Sequence, residues 1–217
     1  PKRSYHQTRT LLLSGASALV LMAPLPSLAL EATALPSSGA VVGGSASFDY
    51  STAGALHVHQ STDRVVIDWD SFNIGKDALT QFHQNSSSSL AVNRVTGAGQ
   101  DPTQILGQLR SNGRVMVLDR NGVIFGADAR VDVGGIIAAT GDVDTNAVMA
   151  GGSIQINNIS DNGTITNAGT ITVHEAGLAA FVAPNVTNDG IIQARLGRVQ
   201  IGSGSQATID LYGDGLM

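Results

Sequence analysis

An all-β solenoid is the fold class that this sequence predicts, and three observations carry the prediction. Glycine is abundant, 26 of 217 residues, while aromatics make up 4%; this favours many short strands and tight turns over a helical bundle. Apolar runs too short for helices follow one another closely, divided by turn signals such as Asn121-Gly122. The C-terminal part repeats itself at a period of about 20 residues, the size that marks stacked coils.

The first residues read as an export signal. Lys2, Arg3, His6 and Arg9 form a basic flank, Leu11 to Met22 is an apolar run too short to span a membrane, and Pro24 and Pro26 break it before Ser27-Leu28-Ala29. That is a small-x-small cleavage pattern, placing processing after Ala29. The expected division is therefore a signal peptide over 1–29 and a folded domain over 30–217. All 17 acidic residues lie beyond the cut, and the whole chain already carries a net charge of −5, which argues against nucleic acid as a partner. There is no cysteine; in an oxidising exported setting this avoids disulfides and removes thiol nucleophiles and thiolate metal sites.

After a small-residue stretch from Ala32 to Ser47, strand-like segments are read at Ala55–His59, Arg64–Trp69, Leu79–His83 and Ser89–Val95, several of them alternating apolar with polar residues. The run "DPTQILGQL" breaks this rhythm. Asp101 suits an N-cap, Pro102 the first helical position, Ile105, Leu106 and Leu109 share a face, and Asn112-Gly113 would end the turn. One short helix is predicted there.

"NAGTITVHEAGLAAF", from Asn167, aligns with "NDGIIQARLGRVQI", from Asn188, when one residue is inserted before Gly177. Asn-x-Gly at the start of each unit is expected to supply a corner tolerant of positive φ, with Ile171, Val173, Ile192 and Ala194 pointing inward. A parallel β-helix is the natural arrangement. Evenly spaced turns also suit a β-sandwich, and at this point both stay open.

The order of blocks over Ser45 to Leu211 resembles a known family. "IDWDSFNIG", "VNRVTG", "ILGQL", "NG", "NGVIFG" and "VGGIIAAT" occur here in the sequence typical of the N-terminal secretion domain of filamentous-haemagglutinin-like exoproteins, the secreted member of two-partner secretion systems. The resemblance implies a right-handed parallel β-helix with N-terminal capping strands. It also implies export by the general secretory machinery and recognition by the periplasmic POTRA domains of an outer-membrane β-barrel transporter. The product would be secreted or held at the cell surface of a Gram-negative bacterium, as the front end of an adhesin or haemagglutinin. A region beyond Met217 would then meet a host or neighbouring-cell surface. Members of the high-molecular-weight-adhesin branch usually carry Asn-Pro-Asn-Gly where this chain has Asp119-Arg120-Asn121-Gly122. Asp preserves the Asx-type turn, whereas Arg restores the N–H and the φ freedom that Pro removes. These four residues are the sequence's candidates for a transporter-reading loop, against the plainer role of a structural corner.

Other features read as structural. His57 and His59 share a strand face without a carboxylate cluster at ligand spacing, and read as a surface pair. "HEAG" at His174 lacks the second histidine of a zinc-protease motif, and Asp142 and Asp144 lack the rest of a calcium loop. Asn85 to Ser89 reads as a solvated loop, and Trp69 and Phe72 as core anchors without aromatic neighbours. No cofactor or metal is expected. The alternative function is a β-helix polysaccharide lyase or hydrolase. Such an enzyme needs converging acid and base groups; here Asp63, Asp68 and Asp70 cluster near Arg64 without a paired partner, and the reading is non-enzymatic.

Overall fold

The computed structural model describes residues 29–204 and 206–210. The expected export signal therefore lies outside the described residues except for Ala29, the first of them. Two short strands, β1 (Ala40–Gly43) and β2 (Ala46–Asp49), precede the coils. The first coil contributes β3 (Ala55–Gln60) and β4 (Arg64–Trp69), and the second β5 (Leu79–His83) and β6 (Leu90–Val95). A third holds β7 (Thr103–Ile105), β8 (Gln108–Ser111) and β9 (Arg114–Leu118), and a fourth β10 (Gly122–Phe125), β11 (Arg130–Val133) and β12 (Gly135–Ala139). An excursion follows, made of α1 (Thr145–Ala150) and β13 (Ile154–Ile156). Then come β14 (Thr164–Asn167), β15 (Thr170–Val173) and β16 (Leu178–Val182), and the last coil with β17 (Asn185–Asn188), β18 (Ile191–Ala194) and β19 (Arg198–Gly202). Strand β20 (Ala207–Ile209) returns to pair antiparallel with β13.

The result is a β-solenoid of about six turns, the parallel β-helix that the resemblance implied. Its faces are a β1-β4-β6-β9-β12-β16-β19 sheet, a β18-β15-β11-β8-β5-β3-β2 sheet and a shorter β17-β14-β10-β7 sheet. Within them the coil strands pair parallel, while β1 and β2 pair antiparallel with β4 and β3 and cover the first coil's open edges. These are the expected capping strands.

Register stacks like positions on like. Leu56, Thr80, Leu109, Val131, Ile171 and Ile192 form one inward column through successive pairings. Ile171 and Val173 are buried, whereas Ile192 and Ala194, on the last coil, pack against the core while half-buried. Alternation fails in the β4-β6-β9-β12-β16 sheet for a physical reason. Its outward residues Val66, Val92, Met116 and Ile137 form a second apolar cluster beneath Val148 of α1, Ile154 and Ile156 of β13, and Ile209 of β20. Strands buried on both faces read as continuous apolar runs.

The helix expected at Asp101–Leu109 is not there. Thr103, Ile105 and Leu109 instead enter the core from β7 and β8, which pair with β10 and β11 on the next coil. Ile105 and Leu109 satisfy helical and strand spacing alike once Gly107 is a corner, and neighbouring coils offer ladder partners that a local helix would forgo. The one helix among the described residues is α1, capped by Asp144, whose carboxylate accepts from the Ala147 N–H at 2.7 Å.

The Asn-x-Gly expectation is right in place and wrong in cause. Neither Asn167 and Gly169 nor Asn188 and Gly190 has positive φ; that conformation falls at Ala176 (60°) and Leu196 (53°), just before Gly177 and Gly197. Asn167 donates to the Asn188 side chain at 2.7 Å and accepts from the Gly169 N–H at 3.1 Å. The glycines are needed because a Cβ on Gly190 would strike the Gly169 carbonyl of the coil beneath. Trp69 and Phe72 are fully buried, as expected, but stacking gives them aromatic neighbours. Phe48 lies 5.1 Å from Trp69 and Phe82 6.5 Å from Phe72, between ring centroids.

Candidate functional site

The four residues singled out by sequence form a tight corner between β9 and β10. The Gly122 N–H donates to the Asp119 carbonyl at 3.0 Å, closing the turn. The Asp119 side chain, only 2% exposed, turns inward. One carboxylate oxygen accepts from both the N–H (3.0 Å) and the hydroxyl (2.7 Å) of Thr103, and the other accepts from the Asn121 N–H at 2.9 Å. Burial pushes this carboxyl above its ordinary value, and the hydrogen bonds from Asn121 and Thr103 offset only part of that. Asp119 is thus a staple between two coils.

Asn121 bridges backward, its amide donating to the Gly99 carbonyl at 3.0 Å. Gly122 has φ +128°, and a Cβ there would overlap the Thr164 carbonyl of the following coil. The positive φ expected of the Asn-Gly pair falls on the glycine alone. Arg120 is the exposed member. It borders an open cleft of about 450 Å³ shared with Arg94, Gln100, Asn121, Asp142 and Ser160.

Arg94 anchors the cleft floor. It holds Asp68 through two contacts, 2.7 and 3.1 Å, and reaches Asp142 at 3.5 Å and the Val143 carbonyl at 3.4 Å. Burial would lower its pKa, but the hydrogen bond and charge of Asp68, helped by Asp142, raise it overall. Asp68 therefore belongs to Arg94, not to Arg64, and is occupied by a fork-like ion pair. Asp63 and Asp70 are exposed at the two ends of β4.

Thr103, Gly99 and Arg94 are the partners that sequence reasoning missed. Reading Thr103 as helical hid its register opposite Val123. Elsewhere, His174 pairs with Asp132 at 2.9 Å. The Asn85–Ser89 loop is tied by its own hydroxyls, with Ser89 buried.

Parts of three blocks that carry the resemblance meet here. "VNRVTG" supplies Arg94 and the wall beside it, Asp119 to Asn121 supply the rim, and "IDWD" supplies Asp68, which holds Arg94 from behind. The family model for the TPS secretion domain matches residues 32–214. The chain belongs to this family.

As a TPS secretion domain it is part of a two-partner secretion exoprotein, a class that partners an outer-membrane transporter and is secreted by Gram-negative bacteria. It is 33% identical over 184 residues to a heme/hemopexin-binding protein of Haemophilus influenzae strain Rd, a match covering 82% of this chain and 20% of the relative. A second H. influenzae heme/hemopexin-binding protein is 35% identical over 109 residues, covering 50% of this chain and 12% of its own. The chain thus spans at most about a fifth of the curated relatives it matches. Among solved structures, the HMW1 secretion domain from H. influenzae superposes with a TM-score of 0.74 at 29% identity, covering 81% of this TPS domain and 47% of that chain.

Proposed function

We propose that this TPS secretion domain is the recognition and folding-nucleation module of its exoprotein, read by the POTRA domains of the cognate transporter at the Asp119–Gly122 corner and its cleft. The observation that supports this is that "VNRVTG" and the Asp119-Arg120-Asn121 part of the turn, far apart in sequence, line one surface depression, with Asp68 of "IDWD" holding Arg94 there. Asp119, Asn121 and Gly122 hold the corner, and Arg120 presents a charge outward. Folding then propagates coil by coil. Each coil buries several side chains at about 1.5–3 kcal/mol apiece, a gain that biases movement outward.

In this reading the signal peptide, residues 1–29, directs the chain to the general secretory machinery and is removed after Ala29. The whole exoprotein acts at a host or neighbouring-cell surface as an adhesin or haemagglutinin, without catalysis. Heme or hemopexin capture by the whole protein is the second reading, favoured by the names of the two relatives.

The test is secretion in a strain carrying the cognate transporter, measured beside the stability of the purified protein. Arg120→Glu is expected to lower secretion several-fold while stability stays within about 0.5 kcal/mol, as for surface changes generally. Secretion of Arg120→Glu and of Arg120→Glu/Gln100→Glu at the parent level would overturn the recognition role and leave a structural corner.

A further inference from the structure

The outward face of β2, β3 and β5 carries a group of polar side chains that the corner does not use. His57 and His59 project from β3, and His83 from β5, directly opposite His59 in the parallel register. Asp49 on β2 lies opposite His57. The His59 and His83 rings stack 4.6 Å apart and 8° from parallel. His57 and His83 meet differently: Nδ1 of His57 lies 3.0 Å from Nε2 of His83, with ring centroids 5.3 Å apart. The centroid separation exceeds the N···N distance by about two ring radii, so the rings meet nearly end to end and one imidazole N–H donates to the other's lone pair. Nothing in the sequence pairs His57 with a residue 26 positions on; coil stacking does.

We propose that His57 and His83 form a surface site for one imidazole-preferring divalent ion, of the Zn²⁺, Ni²⁺ or Cu²⁺ class, which clamps the first coil of the solenoid to the second. The ion takes the place of the proton between the rings. Zinc binds imidazole nitrogen at about 2.0–2.1 Å, so two nitrogens on one tetrahedral ion stand about 3.4 Å apart. The pair has to open by only about 0.4 Å on that geometry, which ring rotation supplies while β3 and β5 stay in register from Ala55↔Leu79 to His59↔His83.

The surroundings suit a cation. Burial, with the neighbouring His59 and His57, shifts the His83 pKa downward, toward the neutral imidazole that binds metals. Asp49 is held below the ordinary carboxylate range chiefly by hydrogen bonds from Ser51, with His57 and His59 adding, and places a negative charge beside the pair. Among the described residues no three His, Asp or Glu side chains form a ready-made metal cage. The site is therefore of a weaker kind, two imidazoles completed by solvent.

The test is titration of the untagged 217-residue chain with ZnCl₂ and NiCl₂ by calorimetry, with His6→Asn in every variant to remove the histidine of the N-terminal segment. One ion per chain is expected at pH 7.5, with micromolar affinity and a metal-dependent rise in Tm, since an ion that binds only the folded state stabilises it. Binding should weaken at least tenfold at pH 5.5, where protons compete, and equally in His57→Asn and His83→Asn. His174→Asn, on a distant coil, should bind like the parent. Far-UV circular dichroism and the metal-free Tm identify any variant that fails to fold, and His83→Gln then takes its place. Absence of saturable binding below 1 mM, or unchanged binding in folded His57 and His83 variants, would overturn the proposal.

Discussion

Replacing Gly122 by alanine adds a single methyl group where the corner has no room for one. At φ +128° an L-residue leaves its allowed regions, which costs about 1–3 kcal/mol. The new Cβ also meets the Thr164 carbonyl on the next coil, with the Thr164 nitrogen 3.1 Å away. Moving that carbonyl disturbs the first rung of the β10–β14 ladder, where Gly122 faces Thr164, and a weakened hydrogen bond adds about 1 kcal/mol. The expected loss is about 2–4 kcal/mol from these two terms. For a chain of this size that is a Tm decrease of about 4–16 °C. Gly99→Ala is the matched control, because a Cβ there meets nothing within 4 Å, and it should stay within about 0.5 kcal/mol of the parent. Urea denaturation followed by far-UV circular dichroism measures both. Equal midpoints for Gly122→Ala and Gly99→Ala would refute the assignment of strain and close approach to this corner.

Asp119 should give an inverted pH dependence. Its folded pKa is raised above the ordinary 3.8, so just above that value the folded chain holds a proton that the unfolded chain has released. Stability from this group is full below 3.8 and is lost as pH rises through the folded pKa. Asp119→Asn cannot ionise, so its stability relative to the parent should improve as pH climbs from 4 toward neutrality; a constant difference measured by denaturation across that range would argue against a raised pKa. Ile171→Asp, placing an unpaired charge at a fully buried position, should cost about 4 kcal/mol or more. Ile192→Asp, on the half-buried last coil, should cost less, and Thr170→Asp, on the outward face, least; any other order of urea midpoints would contradict the register. Val20→Arg should stop export by placing a charge in the apolar run of the signal, and recovery of that variant outside the inner membrane, processed at Ala29, would exclude this reading of the N-terminus.

Short-range chemistry was legible in the chain itself. The excess of glycine, the strand-length apolar runs and the 167/188 repeat pointed to coils, because a stacked fold imposes the same inward pattern on each turn. Gly122 could be identified as a corner because an Asn-Gly turn requires a conformation that few other residues adopt. Residues 101–109 show where this reasoning stops. Ile105 and Leu109 fit a helix or two strands equally well, and only the ladders offered by the coils on either side, absent from any local window, decide for strands. The continuous apolar runs of β4, β9 and β12 likewise do not say what covers their outer face; α1, β13 and β20 do so from an excursion later in the chain. The same limit separates what was seen of the site from what was not. The turn was visible as a motif, but the Thr103 staple, the Arg94–Asp68 pair and the meeting of His57 with His83 depend on register between coils. Register is set by how whole turns stack their side chains, and no stretch of sequence shorter than two coils contains that information.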